Sequence, residues 1–289
     1  MSRVDDIYRE IAHEIKTDGI NERDVDSAEV RPIWEDGEPA YAIYLPQKFV
    51  EYKPGETPII SLRKIAWKTA IKEILWIYKD RSNDVDELKS KYNVHYWDQW
   101  TDEAGTLGKA YGYQINKDFI SPETGKMTNQ IDRLIEGLKN NPLGRRHFTT
   151  MLNMNDLADM TLIPCAFMTM WTVSGDRLDM TLIQRSGDFL AAAAPGGINA
   201  FQYYALLLMI AKVTGYRPGK FVHFVQNLHI YDRHLDVVDK IIEKSGVERP
   251  VPNLRISDDV KNFYDITIDD FKLENYEPAD GDYKIPIAI

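Results

Sequence analysis

The chain of 289 residues carries a single cysteine, Cys165. No disulfide can form within it, and a reducing, cytoplasmic setting is expected. Positive charge is scarce, with 35 lysines and arginines against 45 acidic residues. That balance excludes the broad basic field of a nucleic-acid-coating protein. It leaves room for an anionic substrate held by a few local arginines. Long hydrophobic runs are missing too. The longest, 203–211, is too short to cross a bilayer. The first twenty residues are broken by Arg3, Asp5, Asp6, Arg9, Glu10 and Glu14, so no signal-peptide core is expected. The six histidines fall at no metal spacing, and neither H-E-x-x-H, C-x-x-C nor G-x-x-x-x-G-K-[ST] occurs. With no repeat, low-complexity linker or composition break, the expectation is one α+β domain over 1–289. At 44% hydrophobic, a chain of this length can build a core without metal or disulfide staples.

Residues 3–16 read as an amphipathic helix striped by Val4, Ile7, Ile11 and Ile15. Residues 27–60, rich in Pro and Gly, read as loops with short strands. The clearest helix is 62–79. A polar, loop-like stretch follows at 101–128, and a helix at 129–140 stops before Pro142. The pattern then turns to strand at 148–153, 166–173 and 177–183, with Ser174-Gly175-Asp176 as a hairpin turn. Residues 200–214 are apolar on nearly all sides, a buried helix capped by Gly215. A strand is expected at 220–231, a helix at 235–244, and late strands or tail at 271–273 and 285–289.

Several residues stand out as carriers of chemistry. A hairpin centred on Gly175 sets position 165 opposite 184–186, which is Gln184-Arg185-Ser186. A guanidinium beside a thiol favours the nucleophilic thiolate; otherwise a free cysteine is simply a small core hydrophobe. On the 62–79 helix, Lys64, Lys68, Lys72 and Lys79 make the solvent stripe, and at about 100° per residue Glu73 points away from it. An inward carboxylate needs a raised pKa or a partner, either as a structural acceptor or as a proton relay. Arg145 and Arg146 can be solvated surface or, with Arg185 and Ser186, a phosphate clamp. His229 and Tyr231 lie two apart on a strand and share a face, which suits a core pair or a hydroxyl-binding pair. Tyr96, Trp97 and Trp100 form an aromatic cluster that can be core or can stack on a flat heterocycle. Pro195-Gly196-Gly197 reads as a turn.

Taken together, these segments resemble the thymidylate synthase family along nearly the whole chain. The likeness runs through KEILW (72–76), NVHYWDQW (93–100), GTLGKAYGYQ (105–114), NPLGRRH (141–147) and LIPCAF (162–167). It continues in QRSGD (184–188), INAFQY (198–203), NLHIYD (227–232), FYDITIDDFKL (263–273) and KIPIAI (284–289). The resemblance implies a mixed β-sheet covered by helices, one sheet face forming a homodimer interface. It implies reductive methylation of dUMP to dTMP by 5,10-methylenetetrahydrofolate, a co-substrate, with no metal or flavin. By the same likeness Cys165 attacks C6 of the uracil and Glu73 serves the proton transfers. Arg31, Arg145, Arg146, Arg185 and Ser186 would hold the phosphate, with Arg145 and Arg146 coming from the neighbouring subunit. Asn199 would read the uracil edge, and His229 and Tyr231 would bind the sugar. Asp188 would contact the pterin, Trp97 and Leu162 would line the folate site, Tyr111 would sit near the nucleophile, and the Ile289 tail would close as a lid. Two departures are visible. Ala166 stands where the family usually has His, and the stretch from Arg185 to Asn199 is a few residues longer than the family pattern. A pyrimidine nucleotide hydroxymethylase on the same fold, acting on dUMP or dCMP, is the nearest alternative. A non-catalytic nucleotide- or RNA-binding protein would keep the arginines without needing Cys165.

Overall fold

The computed structural model describes residues 2–25 and 32–289. Helix α1 (Arg3–Asp18) starts at Ser2, whose side chain caps the Asp5 amide while the Asp5 carboxylate returns to Ser2. Strands β1 (Ile20–Asn21) and β2 (Ala42–Tyr52) follow. The reading of 27–60 as loops with short strands is corrected by β2, an eleven-residue strand. Pro46 hides it, because a residue without an N–H reads as a strand breaker. Helix α2 (Trp67–Ile74) begins later than the expected 62 and widens into a π-helical turn, Leu75–Lys79. Helix α3 (Val85–Tyr92), capped by Asp84, was not foreseen. The polar stretch 101–128 contains α4 (Gly112–Asn116) and the small ribbon β3 (Phe119–Ile120) and β4 (Met127–Thr128).

Helix α5 (Gln130–Asn140) is capped by Asn129. Then come β5 (Phe148–Thr150), β6 (Ala166–Ser174) and β7 (Arg177–Gln184). Ser174 pairs with Arg177 across a two-residue turn in which Gly175 takes φ of 64°. Short strand β8 (Gly187–Asp188) precedes α6 (Ile198–Thr214), which ends on Gly215 in the left-handed region. Strand β9 (Arg217–Tyr231), helix α7 (Leu235–Ile242) and the ribbon β10 (Asn253–Ile256) with β11 (Phe271–Glu274) complete the elements. Residues 285–289 are tail, not strand. Ile289 is fastened by two backbone hydrogen bonds to Ile33, at 2.7 and 2.9 Å.

The sheet runs β1-β2-β9-β7-β6-β5, with β8 also on β9. It is mixed, because β7 and β8 lie parallel to β9 while the other neighbours are antiparallel. Helix α6 is buried on nearly every side and packs on α2 and the sheet within one continuous core. The fold is therefore α+β, as expected. No described helix is long and apolar enough to cross a membrane.

Candidate active site

Cys165 sits just before β6, where a two-strand register decides its neighbour. Ala166 pairs with Gln184, and the Arg185 amide donates to the Cys165 carbonyl at 2.9 Å. Residues 165 and 185 are thus abreast, inside the expected 184–186 range; an uninterrupted register would set 165 opposite Ser186, and an irregularity between Ala166 and Met168 shifts it by one. The Arg185 guanidinium is spent locally. Its Nη2 donates to the Ile163 carbonyl at 2.6 Å and its Nε to the Pro164 carbonyl at 3.2 Å. This fixes the arm beside the sulfur, yet the expected thiolate is not what the site favours at rest. Burial pushes the Cys165 thiol up, and the Arg185 charge offsets only part of that rise. The resting sulfur is a thiol, on a residue of intermediate burial.

Glu73 points inward, as its helix angle requires, and is 5% exposed. Oε1 accepts from the Trp97 indole N–H at 2.6 Å, and Oε2 accepts from the Gln202 amide in a short contact. The Tyr96 hydroxyl also bonds to it. Burial raises the Glu73 pKa against these three donors. Gln202 lies one turn after Asn199 on α6, and its Oε1 accepts from Asn199 Nδ2 at 3.0 Å. Asn199 Oδ1 in turn accepts from Gln184 Nε2 at 3.1 Å. Gln184 Nε2 also donates to the Ser186 carbonyl at 2.9 Å, and its Oε1 meets His223 Nε2 at 2.8 Å. Burial drives the His223 pKa down to about 3, so the ring is neutral. One buried polar chain therefore runs His223, Gln184, Asn199, Gln202, Glu73, Trp97. Sequence reading missed Gln184, Gln202, His223 and Tyr96 as members. The available signal was a glutamine in the middle of a helix otherwise apolar all round, where a polar group needs a partner.

Trp97 packs edge-on against Tyr111 at 5.0 Å and against Trp100 at 5.6 Å. Tyr111 holds φ of 50°, an uncommon value for a non-glycine residue, at the entrance to α4. Gly112 after it lies so close to the Ser82 carbonyl that a Cβ would come within 1.8 Å of it. The Tyr111 hydroxyl hydrogen-bonds the Cys165 backbone, and burial first, then the charges on Cys165 and Glu73, keep its pKa far above normal. Tyrosine, cysteine and glutamate thus meet. Leu162, half buried, packs at the edge of the same core.

Asp188 and His229 are paired across β8 and β9. Burial alone would raise the Asp188 pKa, but His234, His229 and the Ala191 amide together hold it low. Its Oδ1 caps the turn Phe189–Ala193 through the Leu190 and Ala191 amides, at 2.9 and 3.1 Å. The long 187–198 stretch is thereby folded into the core, where the Gly196 amide donates to the Tyr52 hydroxyl at 3.0 Å. His234 Nδ1 faces Asp188 at 3.4 Å, while its Nε2 bonds the Pro286 carbonyl of the tail at 2.8 Å. His229 and Tyr231 share a face, ring centroids 4.8 Å apart, and burial lowers the His229 pKa so that its ring is neutral. The Ala166 side chain is buried, and its carbonyl accepts from the Tyr203 hydroxyl at 3.1 Å.

Of the expected phosphate ligands, Arg145 and Arg146 do not join this cluster. Arg31 lies outside the described residues. Arg145 and Arg146 are exposed before edge strand β5, with Phe148 opposite Met170. They reach the far end of β6, about seven residues or roughly 23 Å along the strand from Cys165. Among the described residues no group of side chains has the makings of a metal site.

A model described as "Thymidylate synthase" matches residues 6–289. The chain is 42% identical over 281 residues to thymidylate synthase of Bacillus subtilis subsp. natto, and equally to that of Bacillus phage phi3T, covering 97% of both partners in each case. Among solved structures, the thermostable thymidylate synthase A from Bacillus subtilis is 40% identical, with 99% of each chain covered and a TM-score of 0.89. A match over nearly the full length, in sequence and in backbone, establishes that this chain belongs to the thymidylate synthase family.

Proposed function

We propose that the Cys165 site converts dUMP and 5,10-methylenetetrahydrofolate to dTMP and dihydrofolate, with the following division of labour. Cys165 loses its proton and forms a bond from Sγ to C6 of the uracil, and the ring's π electrons move toward O4. Arg185 favours the anionic sulfur as it forms and, with Ser186, anchors the phosphate. Asn199 faces the pyrimidine edge, offering Nδ2 to O4 and Oδ1 to the N3 proton. The activated C5 bonds to the folate methylene and loses its proton, and the bond from that methylene to the folate nitrogen breaks, leaving an exocyclic methylene on the ring. Glu73 holds and moves protons at this stage, which an ionised carboxylate of raised pKa can do near neutral pH. Hydride from the folate completes the methyl group, and Sγ leaves C6. His229 and Tyr231 hold the sugar.

Trp97, Leu162 and Tyr111 offer an apolar and aromatic wall suited to a flat pterin, with Asp188 as its polar contact. The Ile289 tail, tied to Ile33 and through Pro286 to His234, would exclude water when closed. We assign the phosphate contacts of Arg145 and Arg146 to the partner of a homodimer, since in their own chain they stand at the wrong end of the sheet. Arg31 is proposed as a further phosphate ligand, and the compartment as the cytoplasm.

The observation that carries this reading is the pairing of Cys165 with Arg185 on adjacent strands beside a buried carboxylate. Its test is incubation with dUMP and methylenetetrahydrofolate. The expected outcome is a nucleotide heavier by one methylene, with the absorbance rise of dihydrofolate. A hydroxymethylated product without that rise would replace the synthase by a hydroxymethylase. No turnover by the folded dimer, with nucleotide still bound, would leave only a binding protein.

A further inference from the structure

The polar chain through the site has a direction, and both of its ends are fixed by groups that cannot reverse. At one end the Ser186 carbonyl can only accept, so Gln184 must turn its Nε2 toward it and toward Asn199. Asn199 must then present Oδ1 to Gln184 and Nδ2 to Gln202. Gln202 answers with Oε1, which leaves its Nε2 for Glu73. At the other end the Trp97 indole can only donate, and it occupies the second oxygen of Glu73. His223, neutral, donates to the remaining oxygen of Gln184. Every amide in the row therefore has one orientation when both Glu73 oxygens act as acceptors.

That orientation of Asn199 complements uracil, which offers an N–H at N3 and an acceptor at O4. Cytosine presents the reverse pattern, an acceptor at N3 and an amine at C4, and would need the Asn199 amide flipped. A flip has two consequences. Asn199 Nδ2 would meet Gln184 Nε2, donor against donor. Asn199 Oδ1 would also force Gln202 to turn its Nε2 inward and its Oε1 toward Glu73. The second rearrangement is tolerable only when Glu73 carries a proton to donate.

We propose that Gln202 is a positioning and specificity-determining residue, which ties the base-reading orientation of Asn199 to the ionisation of Glu73. Preference for dUMP over dCMP is then strongest when Glu73 is ionised and narrows when it is protonated. This rests on Asn199 as the base reader. The titratable groups facing Glu73 are the hydroxyls of Tyr96, Tyr111 and Tyr203. All three have pKa values well above normal, chiefly because their hydroxyls are desolvated, so of this set the carboxyl is the group whose charge changes as pH falls.

The test is the ratio of dissociation constants for dUMP and dCMP, by titration calorimetry of the whole enzyme across pH, where the cytosine ring stays neutral. Both nucleotides carry the same phosphate, so its titration cancels. In the unmodified enzyme the ratio is expected to narrow as pH falls through the acid limb of kcat; a flat ratio overturns the proposal without any variant. Gln202→Met keeps the length of the side chain and removes both polar atoms. It is expected to lower the ratio about tenfold, the scale of one buried hydrogen bond, to make it independent of pH, and to move the acid limb upward. Trp97→Phe supplies the contrast: it moves the limb and the pH at which the ratio narrows upward together, and leaves the ratio on the high-pH side of the limb alone. A folded Gln202→Met enzyme with lowered melting temperature but an unchanged ratio and limb shows mere packing and overturns the inference. If Asn199→Ala also leaves the ratio unchanged, the reader assignment itself is wrong.

Discussion

Replacing Trp97 by Phe probes the charge state of Glu73 through a single donor. The indole N–H stands 2.6 Å from Oε1 and is the only polar atom of its side chain. Phe keeps most of the packing against Tyr111 and Trp100 and loses that bond. A hydrogen bond to an ionised group is worth about 1.5–3 kcal/mol. One pKa unit corresponds to about 1.36 kcal/mol, so the Glu73 pKa should rise by about 1–2 units beyond its already raised position. The acid limb of kcat, followed by dihydrofolate absorbance, should move up by the same amount. Stability gives a second, independent reading. A carboxyl whose folded pKa lies above its unfolded one binds more protons when folded, so stability declines as pH rises from the ordinary carboxyl value toward the folded value. The variant extends that decline to higher pH. Its loss in denaturant melts should therefore be greater at neutral pH than at about pH 5. A folded variant whose limb stays in place, and whose deficit is the same at both pH values, would refute the idea that this carboxylate is held ionised by donated hydrogen bonds.

Cys165→Ala should abolish turnover, by at least about 10⁴-fold as for other deleted nucleophiles, while calorimetry still shows dUMP binding; loss of binding in a folded variant would contradict the separation of nucleophile from phosphate anchor. Arg185→Met should push the thiol further up and slow its alkylation by iodoacetamide about tenfold at a given pH, the effect of one pKa unit; an unchanged alkylation profile would mean the guanidinium does not act on the sulfur. His234 has its pKa lowered by burial but raised further by Asp188 and the Pro286 carbonyl, for a net rise. Its charged form stabilises the fold below the ordinary histidine value, and that contribution fades as pH climbs through the folded pKa. Asp188→Asn should consequently lose more stability at about pH 6 than at about pH 9 and should expose the tail to carboxypeptidase; equal losses would exclude an imidazolium latch.

Much of the site could be read in advance because it depends on short-range geometry. A two-residue turn at Gly175 fixes the register of its strands to within one residue, and an irregularity between Ala166 and Met168 then brings Arg185 beside Cys165. A lysine stripe on α2 fixes the inward side of the helix, so Glu73 had to be buried. The spacing of His229 and Tyr231 put them on one face. Strand β2 was hidden by Pro46, and α3 by its brevity and polarity. These are elements whose formation rests on partners distant in sequence, β9 in the first case.

The amino-acid sequence alone determined the family, the nucleophile, the inward carboxylate and the helices with strong periodicity, because each is a property of neighbours along the chain. Tertiary structure alone decided the charge of the sulfur at rest, since burial outweighs one guanidinium, and it placed Arg145 and Arg146 at the opposite end of the sheet from Cys165. It also joined Gln184 on β7, Asn199 and Gln202 on α6 and Glu73 on α2 into one directed row. Such a row exists only where three elements pack within hydrogen-bond reach, and no spacing along a single strand or helix encodes it.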